Sequence, residues 1–392
     1  MGWLVLKRKI CFIGTSRATY GYKKNILKLL KKEKRIKTFY VVTGMHLSKK
    51  HGQSVNEILK DKISIYEKFN MISNKDNHLS FVKSLSKEID KFSEILNKIK
   101  PDILVVTGDR AEMFIAAVTA VYMGIPVAHI QAGDLSGHID GSVRHAITKI
   151  SHIHLASCKD SAQRVLKMGE QKWRVFNVGA PQLDELIELK KVKNKSVLDQ
   201  FNINQNEKFF LIIFHPVLYD LKSASTQINL ILESLERYDY KKVLIYPNID
   251  TGNSKIIKII EKFKNKKDYK IVKNLNRIHF LTLLKYASIL VGNSSAGILE
   301  APTFKTPVLN IGNRQRGRIQ ANNIVNTDFN KKKIIQSINY ILNNKNYKKN
   351  LKKCKNLYGN GGSSKKIIEI LKNIKLNQKL LDKEMTYWWR KC

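Results

Sequence analysis

The sequence predicts an α/β protein of two Rossmann-like doubly wound domains, and three observations carry that prediction. Short, continuous apolar runs recur through both halves of the 392 residues, and such runs mark strands buried on both faces of a parallel sheet. Stretches with helical spacing of apolar residues separate them, so strand and helix alternate along the chain. Clusters of Gly, Ser, Asp and Arg follow many of the runs, where ligands bind beyond the carboxyl ends of strands. At this length two domains are the natural division. The boundary is expected near residues 185–205, giving domains 1–190 and 191–392 with a ligand-holding cleft between them.

The first run, residues 10–14, is followed by Thr15-Ser16-Arg17-Ala18-Thr19-Tyr20-Gly21. No GxGxxG occurs, so the dinucleotide fingerprint is missing. A strand end that offers hydroxyls, Arg17 and a helix N-terminus still suits a phosphate or a sugar. Residues 39–43 form a second strand, and Phe81, Leu85, Ile89, Phe92 and Leu96 set out a long amphipathic helix over 81–99. Residues 101–150 are the centre of this half. Strands at 103–106 and 126–130 flank a helix marked by Phe114, Val118, Val121 and Tyr122, with Gly124 as its left-handed stop. The unit has the size of a right-handed parallel crossover.

Gly108-Asp109-Arg110 follows the first of those strands and Gln131-Ala132-Gly133-Asp134 the second. Both clusters should line one crevice. His138 and Asp140 come next, and a helix from near Ser142 carries Arg144 and His145 in its first turn. A carboxylate, an arginine and two histidines converging there suit acid–base work on an anionic substrate. The plain alternative is a capping pair at Asp109–Arg110 and histidines that only pack.

Strands at 153–157 and 175–178 and a helix at 183–198 complete the first half. The second half restarts the rhythm with strands at 209–214, 242–246, 288–291 and 307–311, and helices at 226–235, 278–285 and from Ile298. A lysine-rich helical tail runs to Ile374, and the aromatic end TYWWRK at 386–391 has no assigned place.

Gly292-Asn293-Ser294-Ser295-Ala296-Gly297 is the strongest phosphate signal. Its glycines permit close backbone approach, its serines add donors, and it opens a helix. No Gly-Lys-Ser/Thr follows, so it is not a P-loop, and an ordinary turn with serine caps is the plain alternative. Arg314, Arg316 and Arg318, one strand later, favour the phosphate reading because guanidinium forks suit phosphate. Glu300 could reach a ribose hydroxyl or serve as a first-turn dipole partner. His215, Asn248 and Asp250 stand at strand ends, where turn chemistry is also a sufficient explanation.

Composition narrows the class. The apolar fraction of 43% supports packed cores, and no run of about eighteen apolar residues exists to span a membrane. Apolar residues precede Lys7-Arg8-Lys9 at the start, the reverse of a signal peptide. Four cysteines without paired spacing fit a reducing cytoplasm. The net charge of +39 raises nucleic-acid binding as a class. The lysines are nevertheless dispersed among Asn and Ile rather than gathered with aromatics, so a solvated surface is the better reading. With no HExxH and no Cys/His cluster, neither a metal nor another cofactor is expected.

These motifs resemble the hydrolysing UDP-N-acetylglucosamine 2-epimerases and their relatives acting on GDP-linked bacillosamine. The resemblance rests on Gly-Thr-Ser-Arg-Ala at 14–18, Thr-Gly-Asp-Arg at 107–110 and His-Ile-Gln-Ala-Gly-Asp at 129–134. It continues through Ile139-Asp140, Ser142–Lys149, His215-Pro216, residues 246–250, Gly292 through Glu300, and residues 310–315. It implies a glycosyltransferase-B-like fold. It also implies conversion of UDP-N-acetylglucosamine and water to N-acetylmannosamine and UDP, through a glycal, in sialic acid biosynthesis. By position it implies catalytic roles among Asp109, Gln131, Asp134, Asp140 and His145. Arg17, Arg110, His129, Arg144, His215, Asn248, Asn293, Ser294, Ser295, Glu300 and Arg314 would bind the nucleotide sugar. A cytoplasmic homo-oligomer, dimer or tetramer, is expected.

Three positions depart from the family pattern. Gln131 stands where the family usually has Glu, Gly141 where a second Asp is common, and Thr19 where the first loop is usually acidic. Glutamine cannot transfer a proton, so Asp109, Asp134 or Asp140 must take that role, or the chemistry differs. Whether the base is uracil or guanine, and whether the chain is instead a non-hydrolysing 2-epimerase, a glycosyltransferase or a weakly catalytic binder, stays open at this level.

Overall fold

A computed structural model describes residues 7–48, 53–70, 78–136, 139–191, 196–204, 206–217, 220–247, 252–273 and 275–386. The chain divides into two compact units. Unit 1 comprises 1–134, 140–184 and 361–392, and unit 2 comprises 135–139 and 185–360.

Unit 1 is laid down as β1 (Arg8–Gly14), α1 (Arg17–Leu30), β2 (Ile36–Val42), α2 (Val55–Lys60), β3 (Glu67–Lys68), α3 (His78–Ile99), β4 (Ile103–Thr107) and α4 (Ala111–Tyr122). It continues as β5 (Val127–Ile130), α5 (Ile139–Ile150), β6 (Ile153–Ala156), α6 (Lys159–Lys167) and β7 (Val175–Asn177), up to the start of α7 (Leu183–Lys191), most of which belongs to unit 2. Its seven strands are all parallel in the order β3-β2-β1-β4-β5-β6-β7. The order reverses direction between β1 and β4, the switch point where a crevice opens at the strand ends. The parallel arrangement follows from composition. β4, β5 and β6 are buried at every position, which only a sheet covered on both faces allows.

Unit 2 repeats the design with α8 (Ser196–Asp199), β8 (Phe209–Ile213), α9 (Ala224–Leu235), β9 (Lys241–Ile245), α10 (Asn253–Glu261), β10 (Tyr269–Val272), α11 (Arg277–Tyr286) and β11 (Ile289–Gly292). There follow α12 (Ala296–Leu299), α13 (Ala301–Phe304), β12 (Val308–Ile311), β13 (Ile324–Thr327), α14 (Lys331–Asn343) and α15 (Lys345–Lys352). The six strands are parallel in the order β10-β9-β8-β11-β12-β13, with the reversal between β8 and β11. The last helices, α16 (Ser363–Asn373) and α17 (Gln378–Leu381), belong to unit 1.

The expected division at residue 190 therefore needs a correction: the lysine-rich tail beyond residue 360 is part of unit 1. Two causes are visible. Ile367, Ile368 and Leu371 join the core built on β1, β4, β5 and β6. The Asp184 carboxylate also accepts the Ser363 and Ser364 backbone N–H groups at 3.0 and 2.7 Å, capping α16. Edge strands β3, β10 and β13 are additions to the expected set. They are short and only partly buried, so they lack the apolar run that marks an interior strand. Helix α5 begins three residues before Ser142, which moves Arg144 and His145 into its second turn. Among the described residues no helix is long and apolar enough to cross a membrane, and Cys11, Cys158 and Cys354 are free and buried.

Candidate active site

In unit 1 the chemistry gathers where β4 and β5 end and α5 begins. Gly108 turns the chain at φ +77° after β4, and Asp109 follows. The Asp109 carboxylate forms an ion pair with the Arg144 guanidinium of α5. The arginine side chain is only 3% exposed while that of Asp109 is 21% exposed, so the carboxylate keeps an open side.

Behind this pair lies a buried brace. His129 on β5 is fully enclosed; its Nε2–H donates to the Gly108 carbonyl at 2.8 Å, and its Nδ1 meets the Thr148 hydroxyl at 3.1 Å. Burial drives the imidazole down to about 3, against the opposing bond to Gly108. His129 is thus a neutral structural ring that fixes the Gly108 turn, not the substrate contact expected of it. Thr148, one turn beyond Arg144 on the same face of α5, also receives the Gly133 N–H at 3.3 Å. Its i, i+4 spacing from Arg144 was the available signal for this residue.

Gln131 is 3% exposed and holds a left-handed backbone at φ +68°. A Cβ added at Gly108 would lie 3.4 Å from its Oε1, so the amide packs against the Asp109 turn. An amide there can hydrogen-bond but cannot move a proton, so a catalytic acid–base role for Gln131 is set aside. Asp134 is buried at 2% exposure, and its Oδ1 accepts from Ser157 and from Ser161, the latter at 2.6 Å. Its Oδ2 is buried with no hydrogen-bond partner among the described residues. His145, half-buried on α5, has an Nδ1 with no hydrogen-bond partner among the described residues. Burial lowers its pKa, then Arg144 and Arg164, with Asp134 opposing. The lowered pKa favours the neutral form of the imidazole.

Arg110 turns towards Glu112, with Nε 3.2 Å from Oε2. Glu88 of α3 lies within electrostatic reach of both. Glu112 and Glu88 were absent from the expected site. Arg17 heads α1, capped by Ser16, whose side chain accepts the Thr19 N–H while Thr19 returns a bond to the Ser16 N–H. Thr19 thereby closes a capping box, a use for the position where the family is usually acidic. Of Arg17 and Asp140 the structure describes only the backbone, in α1 and α5. His138, Asn248, Asp250 and the aromatic end beyond Thr386 lie outside the described residues.

In unit 2 the Gly-Asn-Ser-Ser loop follows β11. Gly292 has φ +135°, and a Cβ there would sit 2.0 Å from the Ile213 carbonyl oxygen, so only glycine fits. Asn293 is 1% exposed and spends its amide on the His215 backbone, accepting N–H at 2.8 Å and donating to C=O at 2.9 Å. It ties the ends of β8 and β11 together, a correction to its expected ligand role. Arg314 Nη1 and Gln315 Nε2 donate to the Asn293 carbonyl at 3.2 and 2.9 Å. Ser294 and Ser295 remain half-buried at the open side of the loop. The helix they open is the single turn α12, so a long-helix dipole is not available there. Glu300 is held by Arg277 at 2.5 Å, and Arg277 also pairs with Glu185 at 3.4 Å. Among the described residues no group of three or more His, Cys, Asp or Glu side chains is placed to hold a metal ion.

Two all-parallel Rossmann-like sheets define a protein of the glycosyltransferase-B-like class, here with polar loops gathered at their strand ends. Within that class the chain belongs to the UDP-N-acetylglucosamine 2-epimerase family, whose sequence model matches residues 28–372. A UDP-N,N'-diacetylbacillosamine 2-epimerase (hydrolyzing) of Legionella pneumophila is 34% identical over 380 residues, spanning 97% of this chain and 100% of its own. A UDP-N-acetylglucosamine 2-epimerase of Neisseria meningitidis is 31% identical over 333 residues, 85% of this chain and 87% of its own. The crystal structure of a UDP-GlcNAc 2-epimerase from Neisseria meningitidis bound to UDP-GlcNAc matches the fold with a TM-score of 0.81 at 21% identity. It covers 93% of this chain and 99% of that one. The family resemblance read from the motifs is met.

Proposed function

We propose that this chain is a hydrolysing 2-epimerase of a UDP-linked 2-acetamido sugar, with N,N'-diacetylbacillosamine as the sugar and a free 2-epimer and UDP as products. The near full-length likeness to the Legionella pneumophila enzyme supports that sugar. The Neisseria meningitidis relative supports a second reading, UDP-N-acetylglucosamine to N-acetylmannosamine for sialic acid synthesis. Both readings share one mechanism. A base takes the proton from C2, the C1–O bond to the diphosphate breaks, and the electron pair closes a C1=C2 double bond. Water then adds its oxygen to C1, and a proton returns to C2 from the other face.

The observation that carries the proposal is the Asp109–Arg144 pair, a part-exposed carboxylate of the β4 turn held by an arginine of α5, the helix that also carries His145. Asp109 serves as the C2 base, Arg144 orients it, and His145 is the second proton carrier. Asp140 stands at the start of the same helix as a further carboxylate. Asp134, capped by Ser157 and Ser161, supports the Gly133 turn. Ser294, Ser295 and Arg314 take the diphosphate, whose oxygens suit hydroxyl and guanidinium donors. Arg17, Arg110, His215 and Glu300 remain the other proposed contacts.

The test is product analysis in heavy water with both UDP sugars in parallel. The expected result is a free 2-epimer carrying one deuterium at C2, released with UDP. Sugar still attached to its nucleotide, or product without deuterium, overturns the proposal. Asp109→Asn should lower kcat by about 10²–10⁴-fold, the usual loss of a positioned acid–base group.

A further inference from the structure

Helix α5 carries Arg144 and His145 of the proposed mechanism, and its C-terminal end is held by the tail of unit 1. The carboxylate of Glu170, just past α6, is fully buried. Its Oε2 accepts His154 Nε2–H of β6 at 2.9 Å and lies 2.9 Å from Lys383 Nζ, while Oε1 lies 3.2 Å from Lys149 Nζ of α5. Lys383 also donates to the Lys149 carbonyl and, at 2.7 Å, to the Ser151 carbonyl. Those are carbonyls at the exit of α5, which have no partner within the helix, and a cation suits that negative end.

A second clamp lies alongside. Arg174, fully buried, donates to the carbonyls of Lys379, Leu380 and Asp382 at 2.7, 2.7 and 2.9 Å, and to His152 at 3.3 Å. Leu380 is fully buried, and the Thr386 N–H reaches the Gly169 carbonyl at 2.8 Å. One buried carboxylate thus joins α5, β6, the turn after α6 and residues 377–386.

We propose that residues 377–386 form a strap that sets the position of α5, with Glu170 and Lys383 as positioning residues for Arg144 and through it for Asp109. Arg144 lies five residues from Lys149, about 7.5 Å along the helix axis, so a slip at the strapped end moves the guanidinium. The charges are consistent. Burial alone would raise Glu170, but His154 and Lys383 outweigh it and hold it at about 2. Burial brings Lys383 down to about 8, against the pull of Glu170. His154 is lowered by burial and His152 is brought down to about 4, so both are neutral at pH 7. Lys149, Lys383 and Arg174 are then the cations that face Glu170.

The inference rests on the proposed reaction only for its kinetic arm. In the full chain, Lys383→Met should speed amide hydrogen exchange across residues 143–150 by about tenfold or more. It should also lower kcat about tenfold with little change in KM, because a misplaced group costs turnover rather than binding. Lys383→Arg, which keeps the cation, should restore most of both. A lower Tm with unchanged α5 exchange and unchanged kcat would overturn the proposal, since the tail would then merely be anchored. If K383M does not fold, Lys383→Gln carries the same comparison. Should neither UDP sugar be turned over, the exchange measurement alone decides the strap, while the reaction fails separately.

Discussion

Glu88 occupies a place that an apolar side chain would ordinarily fill. It lies one turn before Phe92 on the inward stripe of α3, is 2% exposed, and its Oε2 has no hydrogen-bond partner among the described residues. Burial, then the nearby Glu112, raises its carboxyl to about 9, with Arg110 opposing. Between pH 4.5 and about 9 the folded chain keeps a proton on Glu88 that the unfolded chain has released, so stability falls as pH rises through that window. Glu88→Gln removes the penalty. Thermal melts should show a gain on the order of 1–3 kcal/mol at pH 8 that vanishes below about pH 4.5. A constant difference at all pH values would show that Glu88 does not titrate there. None of this was legible in the sequence, where Glu88 is one more charge on a lysine-rich helix. The position of Asp109 at a strand end was legible because it follows an apolar run directly. The brace role of His129 was not, because a histidine inside a run reads alike as packing or as ligand until its two partners are seen.

At the scale of elements, the interior strands were legible almost residue for residue, since β4, β5, β8, β11 and β12 are continuous apolar runs ended by Gly or a polar turn. The edge strands were not, because half-exposed positions dilute the pattern. The Gly292 turn was legible as a loop, but its reason appears only in three dimensions, where the backbone passes the Ile213 carbonyl too closely for any side chain. Gly292→Ala should therefore destabilise the chain by about 3 kcal/mol or more in denaturant titrations, through both the clash and the φ it must hold. It should also weaken UDP binding by displacing Ser294 and Ser295. Near-native stability with intact UDP affinity would refute the account of that loop.

For the molecule as a whole, the buried histidines set the response to acid. His129, His145, His152 and His154 are all lowered from their ordinary 6.5, with burial the leading cause in each. A group whose folded pKa is depressed binds its proton more readily when unfolded. Stability should therefore be lost as pH falls below about 6.5, before ordinary carboxylates begin to titrate, and Glu170 adds a further loss below 4.5. Chemical denaturation from pH 8 to pH 4 checks this, and a flat profile down to pH 5 would contradict it. The two-domain architecture was legible from the repeated strand–helix rhythm. The crossing of the tail back to unit 1 was not, because Ile367, Ile368 and Leu371 mark an amphipathic helix without naming the sheet it covers.

That return has a consequence for how the chain is made. Apart from residues 135–139, unit 2 is drawn from one uninterrupted stretch, whereas unit 1 needs residues from both sides of it. On the ribosome the later sheet has all its strands before the earlier one receives α16, so the half begun first is completed last. Until then Asp184 has no helix to cap, and the surface that Ile367, Ile368 and Leu371 will cover stays open to chaperones and to misassembly.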